Sequence, residues 1–288
     1  MTAIFRRELS SYFNGLPGYV FSAFLLLFAG IYTLGICLSS GYANFEYVLG
    51  NMSFIFLIIV PILSMRVIAA EKKQKTDMLL YSLPVTMTEV VVGKYLAMLA
   101  VLAVPTVIIG IYPLILKSYG AVNLGTCYST LFGFFLLGAA LLSIGLFISS
   151  LTESQAVSAG VCFAVMLLNY FVVSLASLLS DTAAASVLAL TVCAALLALV
   201  FYFLAKNMTV AMGLFCVELA GIMVSYFFFP EAYEGLFPSI IEKLSLFERF
   251  ESMMNGILDL TSAVYLISVS AVFVCLTVTV MDRRRWSE

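Results

Sequence analysis

Apolar runs of about twenty residues alternate with short polar punctuation along almost the whole chain, at 17–38, 52–70, 94–116, 126–149, 156–179, 185–205, 208–229 and 262–281. A crossing of the bilayer core needs about 20 largely apolar residues in a helix, so each run predicts a membrane span. The runs 185–205 and 208–229 are parted only by Lys206 and Asn207 and predict a tight helical hairpin. Residues 2–14 follow a different pattern. Phe5, Leu9, Tyr12 and Phe13 recur at helical spacing, with Arg6, Arg7, Ser10 and Ser11 elsewhere on the wheel. That is an interfacial amphipathic helix, anchored by Phe5, Arg6, Arg7 and Leu9 among headgroups. The segment 231–260 is too charged to span, yet Ile240, Ile241, Leu244, Phe247 and Phe250 keep near-helical spacing. It predicts an external amphipathic or re-entrant segment packed on protein.

Composition turns this pattern into a fold class. Hydrophobic residues make up 63% of the chain and charged residues 10%, with a mean hydropathy of +1.12. Soluble domains carry roughly 25% charged residues, so the solvent of this chain is lipid. The expected fold is all-α, a polytopic transmembrane helical bundle of about eight spans forming a single domain over 1–288. Arg6 and Arg7 ahead of 17–38 resemble a signal-peptide start, but the run is too long and lacks a small-residue cleavage site, so it reads as a retained first span.

The net charge of −2 names no partner, but the distribution of charge does. With residues 2–14 inside, only Lys117, Lys243 and Arg249 of the 14 basic residues fall outside. Inner loops are enriched in Lys and Arg, so both termini are expected in the cytoplasm and the chain in the cell membrane. The acids Glu46, Asp181, Glu231, Glu234, Glu242, Glu248, Glu251 and Asp259 agree by falling outside.

Catalytic patterns are scarce. Histidine is absent, which removes the commonest general base and metal ligand. There is no G-x-x-x-x-G-K-[ST] phosphate cradle and no G-x-S-x-G elbow. The six cysteines are scattered singly, as buried small hydrophobes would be. Glu218 is the one acid deep in an apolar run, expected to pair with a polar group on a neighbouring helix, with a proton relay as the alternative. Arg66 lies near a span end and can snorkel. Pro61, Pro105 and Pro113 predict kinks inside spans.

The longest inner connection, 66–94, is the most informative. Thr76 is a candidate N-cap, with Asp77 in the first turn of a short helix bearing Met78, Leu79, Leu80 and Tyr81. Pro84 ends that helix. Thr86-x-x-Glu89 fits a capping box opening the third span. The short helix sets apolar residues between charged anchors rather than in a broad stripe, which favours docking on a partner over lying on the lipid interface. The second inner connection, Ser149-Ser150-Leu151-Thr152-Glu153-Ser154-Gln155, reads by itself as a turn.

Three stretches together resemble one family. E71-K-K through T76-D77-M78-L79-L80, P84-V85, E89 and G93-K94-Y95-L96 is similar to the first cytoplasmic loop of ABC-2-type transporter permeases, and most of all to the gliding-motility-type group. The S149-to-Q155 connection agrees, as does F247-E248-R249-F250 through G256-I257-L258-D259-L260 and V264-Y265-L266 to R283-R284-R285-W286. The resemblance implies a permease subunit, without ATPase motifs of its own, that moves an unknown substrate as an exporter. ATP and magnesium would be held by a separate ABC ATPase subunit, and a second permease copy or paralogue would complete the pathway; nucleic acid has no part. Residues 71–93 would be the coupling loop, with Thr76 to Ser82 its coupling helix and Thr152, Glu153 and Gln155 a smaller contact. The family plan has six spans, so the hairpin 185–229 would be an addition. An ion- or proton-coupled secondary transporter, a membrane-embedded enzyme and a non-transporting scaffold subunit are the rival classes. The first would need several intramembrane ionisable groups, where only Glu218 qualifies.

Overall fold

A computed structural model of the chain describes residues 2–39, 41, 44–76, 85–176, 182–205, 208–228, 233–255 and 259–287. All the regular structure among them is helical. The amphipathic segment forms α1 (Thr2–Asn14), as its spacing predicts, and α2 (Leu16–Tyr32) follows, continuing as a π-helical turn Thr33–Ser39. Next come α3 (Phe45–Met52), a 3-10 turn Ser53–Ile55, α4 (Phe56–Ser64) and α5 (Ala69–Lys73). Further along the chain lie α6 (Met87–Ile109), α7 (Tyr112–Lys117), α8 (Leu124–Leu151) and α9 (Gln155–Ala176). The remainder is α10 (Ala183–Ala205), α11 (Met208–Phe228), α12 (Leu236–Leu244), α13 (Leu246–Met254) and α14 (Leu260–Ser287).

Six stretches among the described residues are long and apolar enough to cross a membrane: Leu16–Ser39, Phe45–Lys73, Met87–Lys117, Leu124–Leu151, Gln155–Ala176 and Leu260–Arg285. The chain is an all-α polytopic bundle. The hairpin 185–229 is present as α10 packed on α11. Its two helices run for 23 and 21 residues, and Ala183–Ala195 and Phe215–Phe228 are their apolar stretches among the described residues.

Two other expectations change. The second span starts at Phe45, not 52, because Phe45, Val48, Leu49 and Met52 form a buried helical stripe that the charge of Glu46 conceals in a hydropathy average. Pro61 and Pro105 lie inside helices, but Pro113 opens α7 after a turn at Gly110-Ile111, where its missing N–H is no loss.

The helices gather into two compact units, 1–170 with 249–288, and 171–248. In the first, α8 is the axis: every residue from Leu136 to Leu146 is buried, and α3, α4, α6 and α14 pack around it. Of its most apolar window 78% is buried, against 17% for α9, which therefore sits at the periphery. Small residues (Gly138, Ala139, Ala140, Ser143 and Gly145) allow such close approach, as expected where lipid offers no hydrophobic drive between helices. Residues 249–254 of α13 reach into this core. Phe250 meets Phe134 edge-on at 6.1 Å, and Phe134 lies 4.5 Å from Phe56. Met253 presses on Gly133 so closely that a Cβ there would sit 2.9 Å from its sulfur.

In the second unit α10 packs on α11 and α12. The segment 231–260 divides at Ser245, whose backbone is extended and whose hydroxyl accepts from the Glu248 N–H at 3.3 Å, capping α13. Cys37, Cys127 and Cys162 are buried, but Cys193, Cys216 and Cys275 are exposed on helix faces, contrary to expectation, because a lipid-facing surface accepts an apolar thiol as readily as a core does.

Candidate functional site

The long inner connection of the sequence analysis begins in α5 and ends in α6, and both of these stems are fixed by specific polar contacts. The first turn of α5 has no side-chain cap of its own. Instead Ser149, from the end of α8, accepts hydrogen bonds from the Ile68 and Ala69 N–H groups at 3.2 and 3.1 Å. The buried Lys72 ammonium donates to the Ser150 carbonyl, one of the acceptors the end of α8 would otherwise leave bare.

α5 ends in a Schellman motif. Lys75 takes the left-handed conformation, φ 55°, its N–H bonds to the Lys72 carbonyl, and the Thr76 N–H reaches back to the Glu71 carbonyl at 3.0 Å. Thr76 thus closes the preceding helix, its hydroxyl also donating to Glu71 O. Its expected part as N-cap of a following helix, with Asp77, Met78, Leu79, Leu80, Tyr81 and Pro84, lies outside the described residues. On the exit side the Thr86 hydroxyl accepts from the Glu89 N–H at 3.3 Å, the expected opening of α6.

A closed ring of four charges joins the stems to α1. The Lys94 ammonium, with no side-chain exposure, contacts Glu8 Oε1 at 3.1 Å and Glu71 Oε1 at 2.8 Å, and donates to the Val67 carbonyl at 3.0 Å. Arg7 closes the ring from the solvent side, at 2.7 Å from Glu8 and 3.0 Å from Glu71. Each acid touches both bases, and the ring is neutral. Removing a lysine ammonium from water costs several kcal/mol unless it is paired and hydrogen-bonded; here it donates to Glu8 and the Val67 carbonyl and is ion-paired with Glu71. Burial pushes the Glu8 carboxyl up, but Lys94 and Arg7 together outweigh it and hold Glu8 below the usual carboxylate range. The same acids hold Arg7 above its ordinary value against its own partial burial. Tyr12, one turn beyond Glu8, is buried, and desolvation raises its phenol.

The last turn of α14 reaches the same end of the bundle. Arg284 pairs with Glu153 in the connection after α8, and Arg285 donates to the Val85 carbonyl just ahead of α6, at 3.4 Å. Burial of Glu153 is negligible; its hydrogen bond from Arg284 and that residue's charge lower its carboxyl. Thr152 caps the C-terminal end of α8, and Gln155 opens α9. Among the anchors, Phe5 and Leu9 are half-buried, Arg6 is exposed and Arg7 belongs to the ring. Glu218 belongs to the hairpin of the second unit; its Oε2 is enclosed with no hydrogen-bond partner among the described residues.

Sequence reasoning passed over Glu8, and took Glu71, Lys72, Lys94 and Ser149 only as parts of a pattern. For Glu8 a signal existed: it stands three residues after Phe5 and four before Tyr12, on the apolar face of α1, where a carboxylate needs a partner.

The arrangement binds two connections, α1 and the last helix into one braced platform. Residues 37–180, half of the chain, match the family described as ABC-2 family transporter protein. No curated protein matches the chain.

Proposed function

Because the chain belongs to the ABC-2 family of transporter proteins, we propose that it is the membrane-spanning permease subunit of an exporter driven by a separate ABC ATPase. The finer likeness is to the gliding-motility-type group, on the residues of the first loop. A second copy or a paralogue completes the pathway, and both termini lie in the cytoplasm. ATP and magnesium belong to the partner, since this chain has no Gly-rich Lys-Ser/Thr cradle for phosphates.

The reading is carried by the braced platform. A loop that is to pass force into a bundle must have stiff stems, and here each stem ends in buried polar contacts on α8, α6 and α1. Residues 76–82 are the handle that the ATPase grips. Closure of the ATPase pair on ATP displaces the handle, and the helices shift between inward-open and outward-open arrangements. The energy comes from differing contacts with the partner in the two states. Thr152, Glu153 and Gln155 add a smaller contact, held to α14 through Arg284.

The test is ATP hydrolysis by the reconstituted complex. Leu79→Asp or Leu80→Asp leaves membrane insertion intact and abolishes the permease's effect on the ATPase rate. An ATPase rate indifferent to both substitutions removes the handle. Transport by this chain alone in ATP-free liposomes under an ion gradient points instead to a secondary transporter.

A further inference from the structure

The first and third spans pack side by side through α2 and α6, but their paths part at the end of the first span opposite α1. There α2 gives way to the π-helical stretch Thr33–Ser39, and α6 stops at Ile109 before the turn that leads into α7. Between them opens a groove of about 490 Å³, within the size range of ligand sites. The third-span wall is fixed from behind. Tyr112 meets the buried Phe45 edge-on at 6.4 Å, and the Tyr128 hydroxyl donates to the Gly110 carbonyl at 3.1 Å.

Gly30 lines this groove. Glycines in membrane helices commonly admit a neighbouring helix, as Gly138 and Gly145 do on α8. A Cβ on Gly30 would meet nothing within 4 Å, so this glycine keeps space open instead. Leu34, Leu38 and Ile115 add an exposed apolar lining. The Thr33 hydroxyl is turned back on the Ala29 carbonyl at 2.6 Å and offers nothing to a ligand. The walls therefore select an apolar occupant. Polar groups gather beyond them. Lys117 ends α7 and Tyr119 follows it, both exposed. The Lys117 ammonium and the hydroxyls of Tyr112 and Tyr119 have no partner among the described residues. Tyrosine favours the headgroup layer, and a lysine stem can carry its ammonium there. Unpaired donors beside an apolar slot match a phosphate joined to a hydrocarbon chain.

We propose that the groove holds one acyl chain of an anionic phospholipid, whose phosphate lies against Lys117 and Tyr119. With both termini in the cytoplasm, as proposed above, this is a lipid of the outer leaflet. Charge favours an anionic headgroup over a zwitterionic one. No carboxylate among the described residues pairs with Lys117, and a headgroup amine would set a second positive charge beside it. The site depends on the embedding of the chain in a bilayer and not on coupling to ATP.

The experiment uses the whole chain in phosphatidylcholine vesicles carrying a trace of phosphatidylglycerol with a photoreactive diazirine in one acyl chain. A parallel sample carries the same label on phosphatidylcholine, and crosslinked peptides are mapped by mass spectrometry. The phosphatidylglycerol label should concentrate on residues 30–38 and 112–119, well above its level on α9, whose open face reports ordinary lipid contact. Gly30→Leu fills the groove without a clash, so labelling there should fall to the α9 level while the thermal midpoint is kept. Lys117→Gln should lower phosphatidylglycerol labelling of the groove by about fivefold, the worth of one basic residue at a lipid surface, and leave phosphatidylcholine labelling unchanged. Being at an exposed position, it decides the headgroup contact whatever Gly30→Leu does to folding. Equal labelling of groove and α9, or labelling that survives Gly30→Leu, overturns the site. No preference for phosphatidylglycerol in the native chain overturns the anionic lipid.

Discussion

Lys94→Met is the sharpest perturbation of the platform. Methionine keeps the length and apolar stem of lysine but removes the ammonium that Glu8, Glu71 and the Val67 carbonyl share. Breaking a buried pair by deleting one partner costs about 3–5 kcal/mol, because the other charge stays buried and uncompensated. Two circumstances bear on this figure. Arg7 still reaches both carboxylates, yet it is 55% exposed and so is worth under about 1 kcal/mol to them. Glu71 Oε2 is already enclosed without a hydrogen-bond partner among the described residues, so Glu71 has little left to fall back on. A loss of about 3 kcal/mol is expected, which for a chain of this size lowers the thermal midpoint by about 6–12 °C. Since membrane proteins aggregate on unfolding, the suitable assay is the fraction remaining monodisperse in size-exclusion chromatography after timed heating. Arg7→Ala serves as the exposed control and should shift the midpoint far less. Combining Lys94→Met with Glu8→Leu removes one of the two acids left behind and recovers part of the loss, Glu71 still keeping only Arg7. Equal shifts for Lys94→Met and Arg7→Ala would refute the claim that burial gives the ring its strength.

The pH dependence follows from Glu8. Its carboxyl is held below the ordinary 4.5, so its contribution is fully present above that value and is lost as pH falls through the lowered one; a midpoint-against-pH series should fall more steeply on acidification for the native chain than for Glu8→Gln, and parallel curves would remove Glu8 as the cause. Lys75→Gly relieves a left-handed residue at the end of α5 and should stabilise the fold by up to about 1 kcal/mol, raising the same midpoint; a decrease would show that the lysine side chain matters more than its backbone. Gly133→Val drives two methyl groups toward Met253 and should cost about 1–3 kcal/mol, whereas Gly133→Ala costs less because the methionine can yield; equal effects would mean that residues 249–254 are not seated against α8.

The bilayer as solvent was legible from the chain alone, since long apolar runs with few charges leave no other medium. So were the amphipathic α1, from the spacing of Phe5, Leu9, Tyr12 and Phe13, and the start of α6, from Thr86-x-x-Glu89. These features depend on residues within a turn or two of one another, and local spacing suffices to specify them. A further local signal lay unread in Ser245-Leu246-Phe247-Glu248, a capping pattern that divides the segment before the last span into α12 and α13. The start of the second span at Phe45 stayed hidden because hydropathy averages a single acid into its neighbours, while a helix can turn Glu46 away from the buried stripe.

The ring could not be read in this way. Glu8, Glu71 and Lys94 are separated by 63 and 23 residues, and nothing at any of the three positions specifies which opposite charge it will meet. Their encounter depends on α1 folding back along α6 and on α5 ending beside it, which only the packing of the bundle decides. The same holds for Ser149 capping α5 from another helix and for Arg284 reaching Glu153 across 131 residues. A periodic pattern reveals the solvent of each helix face, but a charge removed from water must find its partner in three dimensions, and the partner is chosen by the fold.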